Sequence, residues 1–184
     1  LSSPSWAQLS VFACEPEWAS LTEELGGDDV SVFSATSGLQ DPHYIQARPS
    51  LIAKARKTDL LVCTGAELEV GWLPLLQRKA GNPNIQIGAE GYFMAADYVR
   101  LLEKPVTVDR SQGHVHAAGN PHIQTSPDNI FKVAEALAER LKQRDPEHAS
   151  NYEQRWQDFQ QRWQTAMKQW QEKAAPLKGV PIVV

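Results

Sequence analysis

Cysteine is nearly absent from this 184-residue chain: Cys14 and Cys63 are too few for a disulfide scaffold or a four-cysteine zinc ribbon. Long apolar runs are missing as well. None approaches the roughly 18 residues that a membrane helix requires, so the chain as given is not expected to span a bilayer. Charge imbalance is small, with 18 Lys and Arg against 22 Asp and Glu for a net −4, and the basic residues form no cluster. The electrostatic footprint of a nucleic-acid or anionic-membrane binder is therefore lacking. Internal repeats, a His-Glu-x-x-His helix, a Gly-x-Ser-x-Gly elbow and a phosphate loop are also absent. What is present, 42% hydrophobic residues with 6 Trp, suffices for one or two packed cores.

The first half alternates strand-like apolar runs with amphipathic stretches. Leu9 to Cys14 reads as a strand, Pro16 to Leu25 as a helix opened by its proline, and Val30 to Ala35 as a second strand after Gly26-Gly27-Asp28. Ser50 to Thr58 reads as a short helix capped by Ser50, and Asp59 leads into the most apolar strand, Leu60 to Cys63. This order predicts an α/β fold, a parallel sheet covered on both faces. Its ligands gather beyond the carboxyl ends of the strands, which points to the loops after Cys14, Ala35 and Thr64. Both thiols are expected to close buried strands. Val11-Phe12-Ala13-Cys14 has the outline of a lipoprotein attachment site, but no long apolar segment precedes it and it reads better as a strand. Leu1 to Ala7 places small residues at Ser5 and Ala7, the spacing a signal peptidase reads, so residues 1–7 suit the remnant of a secretory signal.

Beyond Gly81 to Gly91, which is turn-rich, Tyr92 to Leu102 reads as a short helix and Pro105 to Asn120 as loop or short strand. Then the character changes. Ser126-Pro127-Asp128 starts a helix whose Ile130, Val133, Ala134, Leu137, Ala138 and Leu141 recur at helical spacing. Asp145-Pro146-Glu147 starts another, with Asp145 as N-cap, running to about Ala174 over roughly 43 Å. A helix of that length connects things. Tyr152, Trp156, Phe159, Trp163, Ala166 and Trp170 share one of its faces, which packs on the sheet domain or forms a self-association seam. The lack of clear charge pairs beside the stripe favours packing. Pro176 to Gly179 breaks the helix, and Val180 to Val184 begins a buried-type strand with no partner in the sequence. Such an edge, together with an uncovered Trp face, predicts self-association through Trp156, Trp163 and Trp170 or through strand exchange.

Five His are present, and four of them, His43, His114, His116 and His122, lie in predicted loops. Neutral imidazole is the commonest zinc ligand, and loops along one edge of a sheet bring distant His together. Pro42 and Pro121 each fix the chain immediately before a His, which lowers the entropy lost on coordination. His43 and His122 are thus expected to converge although 79 positions separate them (122 − 43). His114 and His116 are the obvious helpers, or else members of a solvated loop. Glu15 reads as a rim charge, Glu17 as a first-turn helix residue, Glu69 as a loop-bonding group and His148 as an exposed or capping residue.

Asp41-Pro42-His43, Arg48-Pro49-Ser50, Asp59 to Gly65 with Leu68-Glu69, and Gly119-Asn120-Pro121-His122 before Ser126-Pro127 occur in order over nearly the whole chain. Together they resemble the metal-binding lipoprotein and periplasmic family of substrate-binding proteins of ABC transporters, the zinc and manganese receptors. The resemblance implies two α/β lobes joined by a rigid long helix, with the metal in the cleft between them. It implies an amino-terminal parallel-sheet lobe over residues 8–125 that supplies His43 and His122, and a helical segment with the linker helix over 126–175. Residues 176–184 would begin a second lobe, absent from this sequence, that supplies another His and a carboxylate. It further implies that His114 and His116 represent a short His-rich loop that collects zinc. The expected function is a periplasmic receptor, not an enzyme, that captures Zn2+, with Mn2+ second, and delivers it to an ABC permease. The preference for zinc rests on the imidazole donors, since manganese favours more oxygen. The alternative is a metal-dependent hydrolase with an open coordination position, and the absent motifs stand against it.

Overall fold

Leu9 to Ala13 forms β1 because Val11 and Ala13 point to one side of the sheet while Phe12 and Cys14 point to the other, and both sides are covered. The computed structural model describes residues 7–104 and 118–181. Its single described sheet has the order β2-β1-β3-β4 with all three pairings parallel: β2 is Val30–Ser34, β3 Leu60–Cys63 and β4 Tyr92–Met94. The same alternation runs through β3, where Leu60 and Val62 face one core and Leu61 and Cys63 the other. On the first face lie α1 (Pro16–Gly26), α4 (Pro127–Arg144) and α5 (Ala149–Ala174), contributing Trp18, Leu137 and Tyr152. On the second lie α2 (Pro49–Ala55) and α3 (Leu73–Ala80), with Leu51, Trp72 and Leu76. Strand order reverses between β1 and β3. That reversal is the topological switch point, where a crevice opens beyond the carboxyl ends.

Several boundaries differ from the sequence expectation for identifiable reasons. Pro49 occupies the first turn of α2, so the helix starts one residue before Ser50, and no side chain caps it. Tyr92 to Leu102 is not a helix: Tyr92, Phe93 and Met94 pair with β3, and Ala95–Tyr98 makes a 3-10 turn. The cue is Gly91, where a Cβ would sit 2.4 Å from the carbonyl oxygens of Asp59 and Asn84, so only glycine fits beside the sheet. The helix α3, unread in the sequence, is opened by Pro74 and closed by Gly81 at φ +62°.

Asp145 does not cap the long helix. A 3-10 turn over Pro146–His148 precedes α5, and the Asp145 carboxylate accepts hydrogen bonds from the Tyr152 hydroxyl and His148 Nδ1, each at 2.7 Å. The α5 helix spans 26 residues, about 39 Å. Tyr152, Trp156 and Phe159 are buried on the domain, Trp163 stacks on Phe159, and Trp170 is 43% exposed. Packing therefore accounts for the amino-terminal half of the stripe. No helix among the described residues is long and apolar enough to cross a membrane.

His148 carries a testable consequence. Its hydrogen bond to Asp145, with Asp29 also nearby, raises its pKa above the ordinary 6.5. A raised pKa means stabilisation that is complete below 6.5 and lost as pH rises through the folded-state value. Denaturation midpoints measured across that window should fall for the wild type and fall less for H148Q.

Candidate metal centre

Two short loops with the same local chemistry hold the two expected histidines. In Asp41-Pro42-His43, Asp41 Oδ1 accepts a hydrogen bond from the His43 amide at 3.0 Å, and in Asn120-Pro121-His122, Asn120 Oδ1 accepts one from the His122 amide at 2.9 Å. Each is an Asx turn in which the intervening proline fixes φ and the side chain closes the loop on itself. Sequence reasoning found the prolines and missed the residues before them. The cue was visible, because Asp and Asn are the side chains that make this turn.

The turns are anchored to the body of the protein. Trp72 donates from its indole to the Pro42 carbonyl at 2.9 Å, and Gly71 approaches so closely that a Cβ there would lie 3.1 Å from the His43 carbonyl. On the other side the Asn120 amide bonds to the Leu102 carbonyl at 2.8 Å, and its side-chain nitrogen reaches Glu103 Oε2 at 2.9 Å. Pro121 and Ile123 are buried on either side of an exposed His122. The result is that the rings of His43 and His122 come together edge to face, with centres 6.2 Å apart at an interplanar angle of 63°. Two imidazoles sharing a tetrahedral zinc at about 2.0–2.1 Å have centres on the order of 5 Å apart, so closing on an ion takes about 1 Å of movement.

Asp41 has a second role. Its Oδ1 also lies 2.6 Å from His43 Nδ1, an arrangement in which the ring donates from Nδ1 and carries its lone pair on Nε2. A carboxylate behind an imidazole in this way fixes the tautomer and raises the basicity of a metal ligand. His114 and His116 fall outside the described residues. His148 lies at the start of α5, bonded to Asp145, apart from the facing pair.

Below these loops, at the switch point, Glu15 and Glu69 are each 2% exposed. Glu15 is thus no rim charge. Its Oε2 accepts from the Thr64 amide and hydroxyl at 3.2 and 3.1 Å, while Glu69 accepts from the amides of Thr64 and Gly65. Thr64 also receives the Trp18 indole at 2.8 Å. Glu69 is the loop-bonding group that its position suggested, and Glu17 lies in the first turn of α1. Burial pushes the Glu15 carboxyl up to about 10, reinforced by Glu69 beside it, and burial raises Glu69 too. The pair therefore holds at least one proton at neutral pH. Beside it Cys14, the residue after β1, and Cys63, the last residue of the adjacent parallel β3, are joined in a disulfide with their Cα atoms 4.8 Å apart. They are buried as expected, but as a bridge instead of two thiols.

Comparison with known proteins follows this geometry. A family model described as ZnuA, zinc-uptake complex component A, periplasmic, matches residues 11–184. The chain is 26% identical over 152 residues to the manganese ABC transporter substrate-binding lipoprotein scaA of Streptococcus gordonii, covering 81% of this chain and 46% of that protein. It is 26% identical over 153 residues to PsaA of Streptococcus pneumoniae, a manganese ABC transporter substrate-binding lipoprotein, covering 83% and 47%. Among solved structures, a zinc-bound deletion mutant of ZnuA superposes with a TM-score of 0.75 at 22% identity, over 92% of this chain and 60% of that one. Zn(II)-bound AdcA from Streptococcus pneumoniae gives 0.69 at 19%, over 90% and 32%. The chain thus spans about half the length of the curated relatives it matches. None of these matches supports the hydrolase alternative.

Proposed function

Because this chain belongs to the ZnuA family of zinc-uptake components, we propose that it forms the amino-terminal lobe of a metal receptor in which His43 and His122 supply two of the ligands. The cargo is Zn2+, with Mn2+ second, and it passes to the membrane permease of an ABC transporter. The observation that supports this reading most is the facing of two Asx-Pro-held imidazoles at 6.2 Å, from loops far apart in sequence. Imidazole donors fit zinc better than manganese, and the Asp41 carboxylate behind His43 completes the usual outer partner of a zinc-bound His. A site outside the cytoplasmic membrane, in the periplasm, agrees with the Cys14–Cys63 disulfide, since such bonds persist in oxidising compartments.

His114 and His116 serve as collectors in this scheme, carrying ions toward the facing pair. Calorimetric titration with zinc separates the roles: H114A/H116A should slow capture or abolish a weak second event while leaving the tight event within about threefold. Equal losses from that variant and from substitutions of the facing pair would refute the division. The distal part of α5, with Trp170 exposed beside Met167, supplies the surface for association between copies of this chain. Light scattering over a dilution series should show mass falling with concentration, and W170A should shift the transition toward monomer. A monomer at every concentration would refute it.

A further inference from the structure

The switch point holds a group of donors that the facing histidines do not use. Cys14 Sγ, Cys63 Sγ and a Glu69 carboxylate oxygen lie within 4.8 Å of one another, all buried. The two sulfurs are joined in the disulfide here; once reduced, two thiolates and a carboxylate at that place are a ligand set for a soft or borderline divalent ion, zinc foremost. A second observation points the same way: Glu15 Oε1 is buried with no hydrogen-bond partner among the described residues, while its Oε2 shares the Thr64 amide with Glu69. An orphaned buried carboxylate oxygen is an acceptor waiting for a proton or a cation. Glu69 already takes the backbone amides of Thr64 and Gly65, which orient its carboxylate as outer hydrogen bonds orient a metal ligand; Oε1 accepts from both, and Oε2, which accepts only from Gly65, keeps a lone pair to give.

We propose that the reduced protein carries a second, redox-gated metal site made by Cys14, Cys63 and Glu69, with Glu15 beside it keeping the proton of the carboxyl pair, and that disulfide formation closes it. Every chain is synthesised with both thiols reduced, so the open state needs no added reductant. Binding a divalent ion there releases two thiol protons. A protein disulfide acting as oxidant then takes two electrons: one Cys sulfur attacks it to form a mixed disulfide, the second Cys sulfur displaces the oxidant, the oxidant takes two protons from water and leaves as a dithiol, and the ion, having lost both thiolates, departs. The consequence is division of labour between two zinc-competent clusters. In the oxidised protein, thiolates that would outcompete imidazole for the cargo are withdrawn, and the ion is left to the histidines. Zinc bound first would in turn delay oxidation, because sulfurs held on the metal are not available for exchange.

Cobalt(II) is the probe, since thiolate ligation gives a charge-transfer absorption that imidazole and carboxylate do not. The protein is used with H43A and H122A in place, so the outcome is independent of the histidine site. Reduced with a phosphine and freed of it without oxygen, it should bind one cobalt per chain with the thiolate band, and zinc should displace it. The oxidised protein should show no such band. E69Q should weaken binding by at least the roughly tenfold that losing even an outer partner costs, and C14S/C63S should abolish it. Thiol reactivity toward an aromatic disulfide covers the case of a chain that unfolds on reduction. Slow reaction with zinc and fast reaction without it supports the site. Equal rates overturn the proposal, as do a missing band after reduction and an affinity indifferent to E69Q.

Discussion

Replacing His43 or His122 by Ala should weaken zinc binding at the tight site by at least about a hundredfold, because a zinc site worth about 10–16 kcal/mol over four donors loses about 3 kcal/mol with each. The losses should be similar, since the two loops are built alike. A graded series distinguishes ligand from scaffold. D41N preserves the turn that receives the His43 amide yet replaces the carboxylate at Nδ1, so it should cost about tenfold, the range of an outer partner. N120A removes the acceptor for the His122 amide and the contact to Glu103, and should cost a similar amount. Competition titration against a chromophoric chelator measures all four variants. Unchanged affinity in H43A and H122A would show that the facing rings are incidental.

A second large effect is expected from the buried carboxyls. Glu15 is raised to about 10 by burial and by Glu69, against an ordinary 4.5. A carboxyl whose folded pKa exceeds its unfolded one contributes stability present at low pH and lost as pH climbs from the unfolded value through the folded one. The fold should therefore weaken steadily between about pH 5 and 10. E15Q supplies a permanent N–H donor toward Glu69 in place of the shared proton. It should match the wild type near pH 5 and exceed it near pH 9 by more than about 1 kcal/mol, since each tenfold change in proton affinity is worth about 1.4 kcal/mol. Urea denaturation at the two pH values reads this directly. A wild type and variant with parallel profiles would mean that the carboxyls share no proton.

Much of this molecule was legible in its sequence because the signals were local. The strands β1, β2 and β3 announced themselves as apolar runs, and Pro16 and Ser126-Pro127 marked helix starts that the structure keeps within a residue. The convergence of His43 and His122 was also legible, since a parallel α/β sheet puts its loops on one edge. The rest depended on neighbours distant in sequence. Tyr92 to Met94 became a strand because β3 offered an open edge and Gly91 let the backbone in. Glu15 looked like a rim charge, whereas Thr64 and Glu69, which follow β3, enclose it. Cys14 and Cys63 ended different strands, and only the pairing of β1 with β3 brings them within bonding distance. Asp41 and Asn120 were local and readable, yet the prolines beside them drew the explanation.

The central claim, that His43 and His122 together hold the transported ion, is tested most directly by growing crystals with zinc and collecting diffraction on both sides of the zinc absorption edge. The expected result is an anomalous peak between the two rings, at about 2.0–2.1 Å from one nitrogen of each, with Asp41 still bonded to His43 Nδ1. A fully occupied peak elsewhere, with both rings left unligated, would contradict the account.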